Sequence, residues 1–244
     1  MLDPALARVH IVLVTPRQPG NVGAAARAMA NNGLGRLVLV APPAFDPDRA
    51  RWMAPGAHDR IDHALIVGSV AEAIQQLDVV RVVGTSARAR KLETPTWDPP
   101  ALSRAVHAGG GATAIVFGPE DYGLNNTSVA RCDALLRIPT ASHRSLNLAQ
   151  AVNVTASSLR LLATATDPSP PPQLAPARLR TLLVDDLLEV LRQTTYFGGR
   201  PDTATRARFT RSMARLQLLQ EEVAVARGML KSIKHRLRHG PEPS

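Results

Sequence analysis

Three polar segments, each following a short apolar run, carry the residue types from which a phosphate or nucleotide site can be built. The first, TPRQPGNVGAAARAMANNGLG (15–35), leads from a strand into a loop with Gly20 and Gly23, then into a helix of small residues containing Arg27. Free backbone amides at such a helix start can hold phosphate. The dinucleotide fingerprint needs G-x-G-x-x-G, and this loop offers only G-x-x-G, which disfavours a nicotinamide cofactor. The ordinary alternative is that Asn21 caps the helix and Ala24, Ala25 and Ala26 let it pack closely on a sheet. The second segment, AIVFGPEDYGLNN (114–126), ends a buried strand at Gly118 and opens a loop bearing Glu120, Gly123, Leu124 and Asn125. Strand ends in open α/β sheets are where ligands bind. The third, RIPTASHRSLNLAQAVNVTASSL (137–159), reads as a strand, a polar loop and a helix whose first turn includes Ser145 and Asn147. Two capped turns use the same Gly, Ser and Asn, so each segment alone leaves the choice open.

The elements that must position these segments alternate. Strand-like runs at 9–14, 36–41, 64–68, 79–86, 113–118 and 134–139 are separated by helical stretches at 21–32, 69–77, 100–107 and 147–165. This pattern predicts an α/β domain with a mostly parallel sheet and helices on both faces. The stretch ATDPSPPPQLAP (165–176) holds five prolines in twelve residues, which resists both helix and strand. It predicts a sheet domain over 1–165, a proline-rich linker over 166–177 and a helical extension over 178–244. Within the extension, 178–196, 203–215 and 219–238 read as helices. In the last, Leu219, Val223, Ala226, Leu230, Ile233 and Leu237 form an apolar stripe.

Composition narrows the function classes. With 45% hydrophobic and 20% charged residues and no apolar run of eighteen, the 244-residue chain reads as globular, without a membrane-spanning helix. A single cysteine, Cys132, allows neither an intramolecular disulfide nor a cysteine-built metal site. The seven histidines show no metal-ligand spacing, so no metal is expected. The N-terminus lacks a signal-peptide core, which gives the expectation of a cytoplasmic chain starting at Met1. The net charge of +9 points to a polyanionic partner, and residues 176–244 hold thirteen Lys and Arg against seven Asp and Glu. In the last helix Arg227, Lys231, Lys234 and Arg238 fall four, three and four apart as one basic stripe, although an ordinary solvated face has the same spacing. Eight aromatic residues are too few for rows of base-stacking rings, so a nucleic-acid partner is expected to be recognised by its phosphates and shape.

Taken together, the three segments resemble the SPOUT RNA methyltransferases of the TrmH type, and within them the TrmJ-like tRNA ribose 2′-O-methyltransferases. The motif N-x-G-x-x-x-R is met by Asn21, Gly23 and Arg27; F-G-x-E-x-x-G-L by Phe117, Gly118, Glu120, Gly123 and Leu124; and S-L-N-x-x-x-A-V by Ser145, Leu146, Asn147, Ala151 and Val152. GTSARARKL (84–92) resembles the family stretch that helps hold cofactor and RNA, and LVDDL (183–187) and RGMLKSI (227–233) carry the resemblance past the linker.

The resemblance implies a sheet domain tied in a deep trefoil knot whose pocket takes S-adenosyl-methionine, and a homodimer that completes the active surface across the subunit interface. It implies cofactor contacts from Thr85, Ser86, Ala87, Gly118, Ile138, Ser145 and Leu146, with Arg144 beside them. Arg27, Asn21, Glu120, Ser145 and Asn147 are the implied catalytic set. In that chemistry Arg27 stabilises the developing alkoxide and anchors phosphate, since a guanidinium rarely surrenders its proton. Glu120 can orient a donor, serve proton transfer, or merely satisfy nearby amides. Arg88, Arg90 and Lys91, together with Arg227, Lys231, Lys234 and Arg238, are the expected RNA contacts. The implied substrate is tRNA at the first nucleotide of the anticodon loop. A ribosomal RNA target and a non-catalytic RNA-binding protein of the same fold are the alternatives.

Overall fold

The computed structural model describes residues 3–43, 45–86, 94–142, 145–162 and 173–239. Among them seven strands form one sheet: β1 (Val9–Val14), β2 (Leu37–Val40), β3 (Leu65–Val67), β4 (Arg81–Thr85), β5 (Thr96–Trp97), β6 (Thr113–Phe117) and β7 (Ala134–Leu136). Their order is β3-β2-β1-β6-β4-β7-β5, and every neighbouring pair is parallel. The helices are α1 (Pro19–Asn32), α2 (Pro47–Trp52), α3 (His58–Asp62), α4 (Val70–Leu77), α5 (Pro99–His107), α6 (Asn126–Val129), α7 (Leu148–Leu161), α8 (Ala177–Arg192), α9 (Thr203–Arg215) and α10 (Gln220–His239). No helix among the described residues is long and apolar enough to cross a membrane.

Strand alternation divides the core in two. In β1, Ile11 and Leu13 pack with Val22, Ala26 and Met29 of α1 and Val152 and Ala156 of α7, whereas Val12 packs with Val70, Ala73 and Ile74 of α4. Each such fully buried aliphatic side chain contributes about 1.5–3 kcal/mol of transfer free energy. Gly23 is required by packing rather than by phosphate: a Cβ there would lie 1.9 Å from the carbonyl oxygen of Ala50 on α2.

Helix α1 begins earlier than expected. Pro19 occupies its first turn and Gln18 is its N-cap, so Asn21 is not the cap and its side chain is free for other work. Asn147 does cap α7, accepting from the amides of Ala149 and Gln150. The short elements β5, α2, α3 and α6 were not anticipated, because two to six residues cannot display a period. The strand run 134–139 stops at Leu136, and helix 178–196 stops at Arg192. Residues 163–172, including most of the proline-rich stretch, lie outside the described residues.

The end of that stretch is tied down. Leu174 bridges Leu219, the Ala175 amide donates to Leu218 O, and the Ala177 amide donates to Val79 O. Arg180 of α8 is buried and grips Asp133 with both terminal nitrogens, at 2.9 and 3.1 Å, while Nη2 also donates to Val80 O at 2.8 Å. Asp133 in turn accepts the Val82 amide at 2.7 Å, so α8 is clamped to the sheet through one carboxylate. Removing one partner of a buried pair leaves the other charge stranded, and Arg180→Ala is expected to destabilise the full chain by about 3–5 kcal/mol in urea unfolding. An unchanged midpoint would show that the clamp contributes nothing. Truncation at 166 removes the same arginine and is expected to weaken the sheet domain.

Candidate active site

A cavity of about 380 Å³ opens at the C-terminal ends of β4, β6 and β7. Thr85 and Ser86 reach it from β4; Phe117, Gly118 and the loop through Leu124 from β6; Leu136, Ile138 and Thr140 from β7; and Ser145, Leu146, Leu148 and Ala151 from the start of α7. Its volume falls in the usual range for small-molecule sites, roughly 300–1,000 Å³. Of the expected cofactor contacts, Thr85, Ser86, Gly118, Ile138, Ser145 and Leu146 all line it. Ala87 and Arg144, and the expected RNA contacts Arg88, Arg90 and Lys91, lie outside the described residues. The floor is shaped by Gly118, where a Cβ would stand 2.2 Å from the Leu124 amide nitrogen and 2.3 Å from the Gly123 carbonyl carbon. Only the missing side chain lets the 119–124 loop fold back over the strand end.

At the rim, hydrogen bonds join the three motifs. Asn147 Nδ2 donates to Asn21 Oδ1 at 3.1 Å, and Asn21 Nδ2 donates to Glu120 Oε1 at 2.9 Å. Glu120 Oε2 accepts the Arg17 amide at 3.3 Å. Partial burial tends to raise the Glu120 carboxyl, but the Asn21 side chain and the amides of Glu120, Arg17 and Gln18 outweigh it and hold the group below its ordinary range. Glu120 is therefore an ionised acceptor that fixes the orientation of Asn21. A depressed carboxylate contributes stability above its unfolded value and loses it as pH falls through the folded one. The thermal stability advantage of the wild type over Glu120→Gln is thus expected to be present at pH 7 and to shrink below the usual carboxylate range. A difference independent of pH would mean that the charge of Glu120 plays no part.

Arg27 stands apart from this cluster. It is exposed on α1, does not line the cavity, and makes no hydrogen bond or ion pair among the described residues. Six residues along the helix from Asn21, it sits about 9 Å further from the rim. Two groups at the site escaped the sequence reading: Arg17, at the end of β1, pairs with Asp121 in the 119–124 loop at 2.5 Å. The position of Arg17 just past an apolar strand was the signal that could have found it.

The basic stripe of α10 faces its own chain. Arg227 and Lys234 bind Asp186, and Lys234 and Arg238 bind Glu189, all on α8. Lys231 remains exposed, as do Arg208, Arg215 and Arg236, none with an ion pair among the described residues. The apolar stripe is covered over only half its length: Val223 is buried, and Ala226 and Leu230 pack beside it. Ile233 and Leu237 stay exposed. His10, partly buried, accepts the Arg36 amide, and burial together with Arg36 lowers its imidazole to about 4.

Among the described residues, a seven-stranded parallel sheet covered by helices, with a cavity of small-molecule size at the ends of β4, β6 and β7 and a helical extension, defines an α/β protein with a candidate ligand site at those strand ends. Residues 8–157 match the SpoU rRNA Methylase family, and the chain belongs to that family. It is 35% identical over 242 residues to the tRNA (cytidine/uridine-2′-O-)-methyltransferase TrmJ of Cronobacter sakazakii, covering 94% of this chain and 97% of that protein. It is 42% identical over 160 residues to the tRNA (cytidine/uridine/adenosine-2′-O-)-methyltransferase TrmJ of Pseudomonas aeruginosa, a match spanning 64% of this chain and 62% of that protein. The crystal structure of TrmJ from Z. mobilis ZM4 superposes with a TM-score of 0.79 at 31% identity, covering 92% of this chain and 98% of that one.

Proposed function

We propose that the protein is an S-adenosyl-methionine-dependent tRNA ribose 2′-O-methyltransferase, acting at the first nucleotide of the anticodon loop. The observation that carries this reading is the cavity at the ends of β4, β6 and β7, lined by the second and third motifs and joined to the first through the Asn21 hydrogen bonds at its rim, in a chain that is similar to TrmJ from the sheet domain through the helical extension. The cavity fits the cofactor by size and by its mixed lining. Thr85, Ser86 and the Gly118 loop offer backbone and hydroxyl groups, and Leu136, Ile138 and Leu146 offer apolar wall. When bound, S-adenosyl-methionine supplies an electrophilic sulfonium methyl group.

The remaining work belongs to the chain. Asn21, held between Glu120 and Asn147, has its amide fixed beside the cavity mouth, and Ser145 presents a hydroxyl inside it. These groups orient the ribose hydroxyl. Arg27 stabilises the negative charge that develops on the attacking ribose oxygen and anchors the neighbouring phosphate. Because Arg27 lies away from the cavity of its own chain, it serves the cavity of a second copy in a homodimer. Exposed Trp52 on α2 and Leu161 on α7, both on helices packed against α1, supply apolar surface for that contact. The sheet domain, residues 1–165, is read as knotted, the helical extension as a tRNA contact through its free cations Arg208, Lys231 and Arg236, and the address as cytoplasmic.

Incubation of the purified protein with total tRNA and the methyl donor, followed by nucleoside mass spectrometry, is expected to yield 2′-O-methylated nucleosides. Methylation confined to ribosomal RNA would replace the substrate, and none on either RNA would overturn the reading.

A further inference from the structure

A second cavity, of about 220 Å³, lies where the helical extension meets the sheet edge, at the opposite end of β4 from Thr85 and about 13 Å away along the strand. Among the described residues, Arg81, Arg180 and Arg215 line it, against one carboxylate, Asp133. That carboxylate is already engaged: both its oxygens bind Arg180, and one also takes the Val82 amide. Arg81, only 7% exposed, has a single hydrogen bond, from Nη1 to Thr113 Oγ1 at 3.0 Å, and no ion pair among the described residues. Arg180 Nε is buried without an acceptor. Burial lowers the Arg81 guanidinium, with Arg180 adding to this and Asp133 opposing it, but an arginine stays charged in a protein.

A buried cation without an ion pair is costly, and among the described residues three guanidiniums around one already engaged carboxylate leave a surplus of two positive charges. Planar guanidinium forks match the oxygens of a phosphate dianion in both charge and geometry. We propose that this cavity binds a phosphate-class dianion, either free inorganic phosphate or a terminal phosphate monoester of RNA. Arg81 comes from β4, Arg180 from α8 and Arg215 from the end of α9, so the anion staples the helical extension to the sheet. The site stands independently of the methyl-transfer reading.

Trp97 lines the cavity, and the other tryptophan, Trp52, lies on α2. In a Trp52→Phe background, Trp97 fluorescence therefore reports occupancy. Titration of the full chain with sodium phosphate, against sodium chloride at equal ionic strength, is expected to give a saturable change in Trp97 emission and a rise in Tm. Arg81→Met is expected to weaken phosphate at least about tenfold, and Arg215→Gln, at an exposed position, to weaken it several-fold if the first variant folds poorly. A 5′-phosphorylated oligoribonucleotide that competes with phosphate, when its 5′-hydroxyl counterpart does not, identifies RNA ends as the source. Equal neglect of both oligonucleotides identifies the free ion. A response to chloride equal to that to phosphate, or a phosphate response unaltered in both arginine variants, overturns the site.

Discussion

Arg27→Ala is expected to lower methyl transfer to tRNA by at least about a hundredfold while leaving the affinity for S-adenosyl-methionine unchanged. The split follows from position: the guanidinium is exposed on α1, outside the cavity, and bonded to nothing among the described residues. Its removal takes away no packing and no buried partner, so the variant should unfold within about 0.5 kcal/mol of the wild type. Single-turnover rates with full-length tRNA measure the loss, and calorimetry measures cofactor binding. Turnover above about a tenth of the wild-type value would remove Arg27 from the chemistry. On the proposed homodimer, a mixture of Arg27→Ala chains with chains blocked only in the cofactor cavity should regain activity, one mixed dimer then holding one intact composite site.

Gly118→Ala supplies the blocked cavity. A single added methyl group meets backbone atoms at 2.2 and 2.3 Å, and backbone cannot swing aside as a side-chain tip can. The 119–124 loop must lift, carrying Glu120 away from Asn21 and opening the rim. Cofactor affinity is expected to fall at least about a hundredfold, with about 1–3 kcal/mol of overpacking strain in the fold. Gly118→Val extends the same clash. A folded Gly118→Ala protein that binds S-adenosyl-methionine at wild-type strength would take Gly118 out of the cavity wall.

The runs VHIVLV and TAIVFG announce buried strands because both faces of β1 and β6 are covered and, His10 and Thr113 apart, their strand positions are apolar. Nothing local told that β6 slots between β1 and β4, since that neighbour relation is set by pairing over a hundred residues of chain. The same division runs through the site. Asn21, Glu120 and Asn147 were legible as residue types at meaningful spacing. Their mutual hydrogen bonds, and the ion pair of Arg17 with Asp121, were not. Of the four cations at stripe spacing on α10, Arg227, Lys234 and Arg238 meet Asp186 and Glu189, three apart on α8, a partner face to which nothing in the α10 sequence points. Helix spacing shows which side chains share a face but not what the face meets. The Arg180–Asp133 clamp had no local signal at all.

The rim of the cavity has a consequence for how the protein comes into being. Its hydrogen bonds span 99 and 126 residues of chain, and the parallel strands that carry them are joined only by long crossovers. Contacts of such sequence separation form late and slowly. At ribosomal speeds of 5–20 residues per second, Asn21 waits roughly 6–25 s after its own synthesis before Asn147 is even made. No nascent fragment ending before α7 has a finished cavity, because Leu148 and Ala151 form part of its lining, so any ligand of that cavity must wait for the sheet and the start of α7 alike.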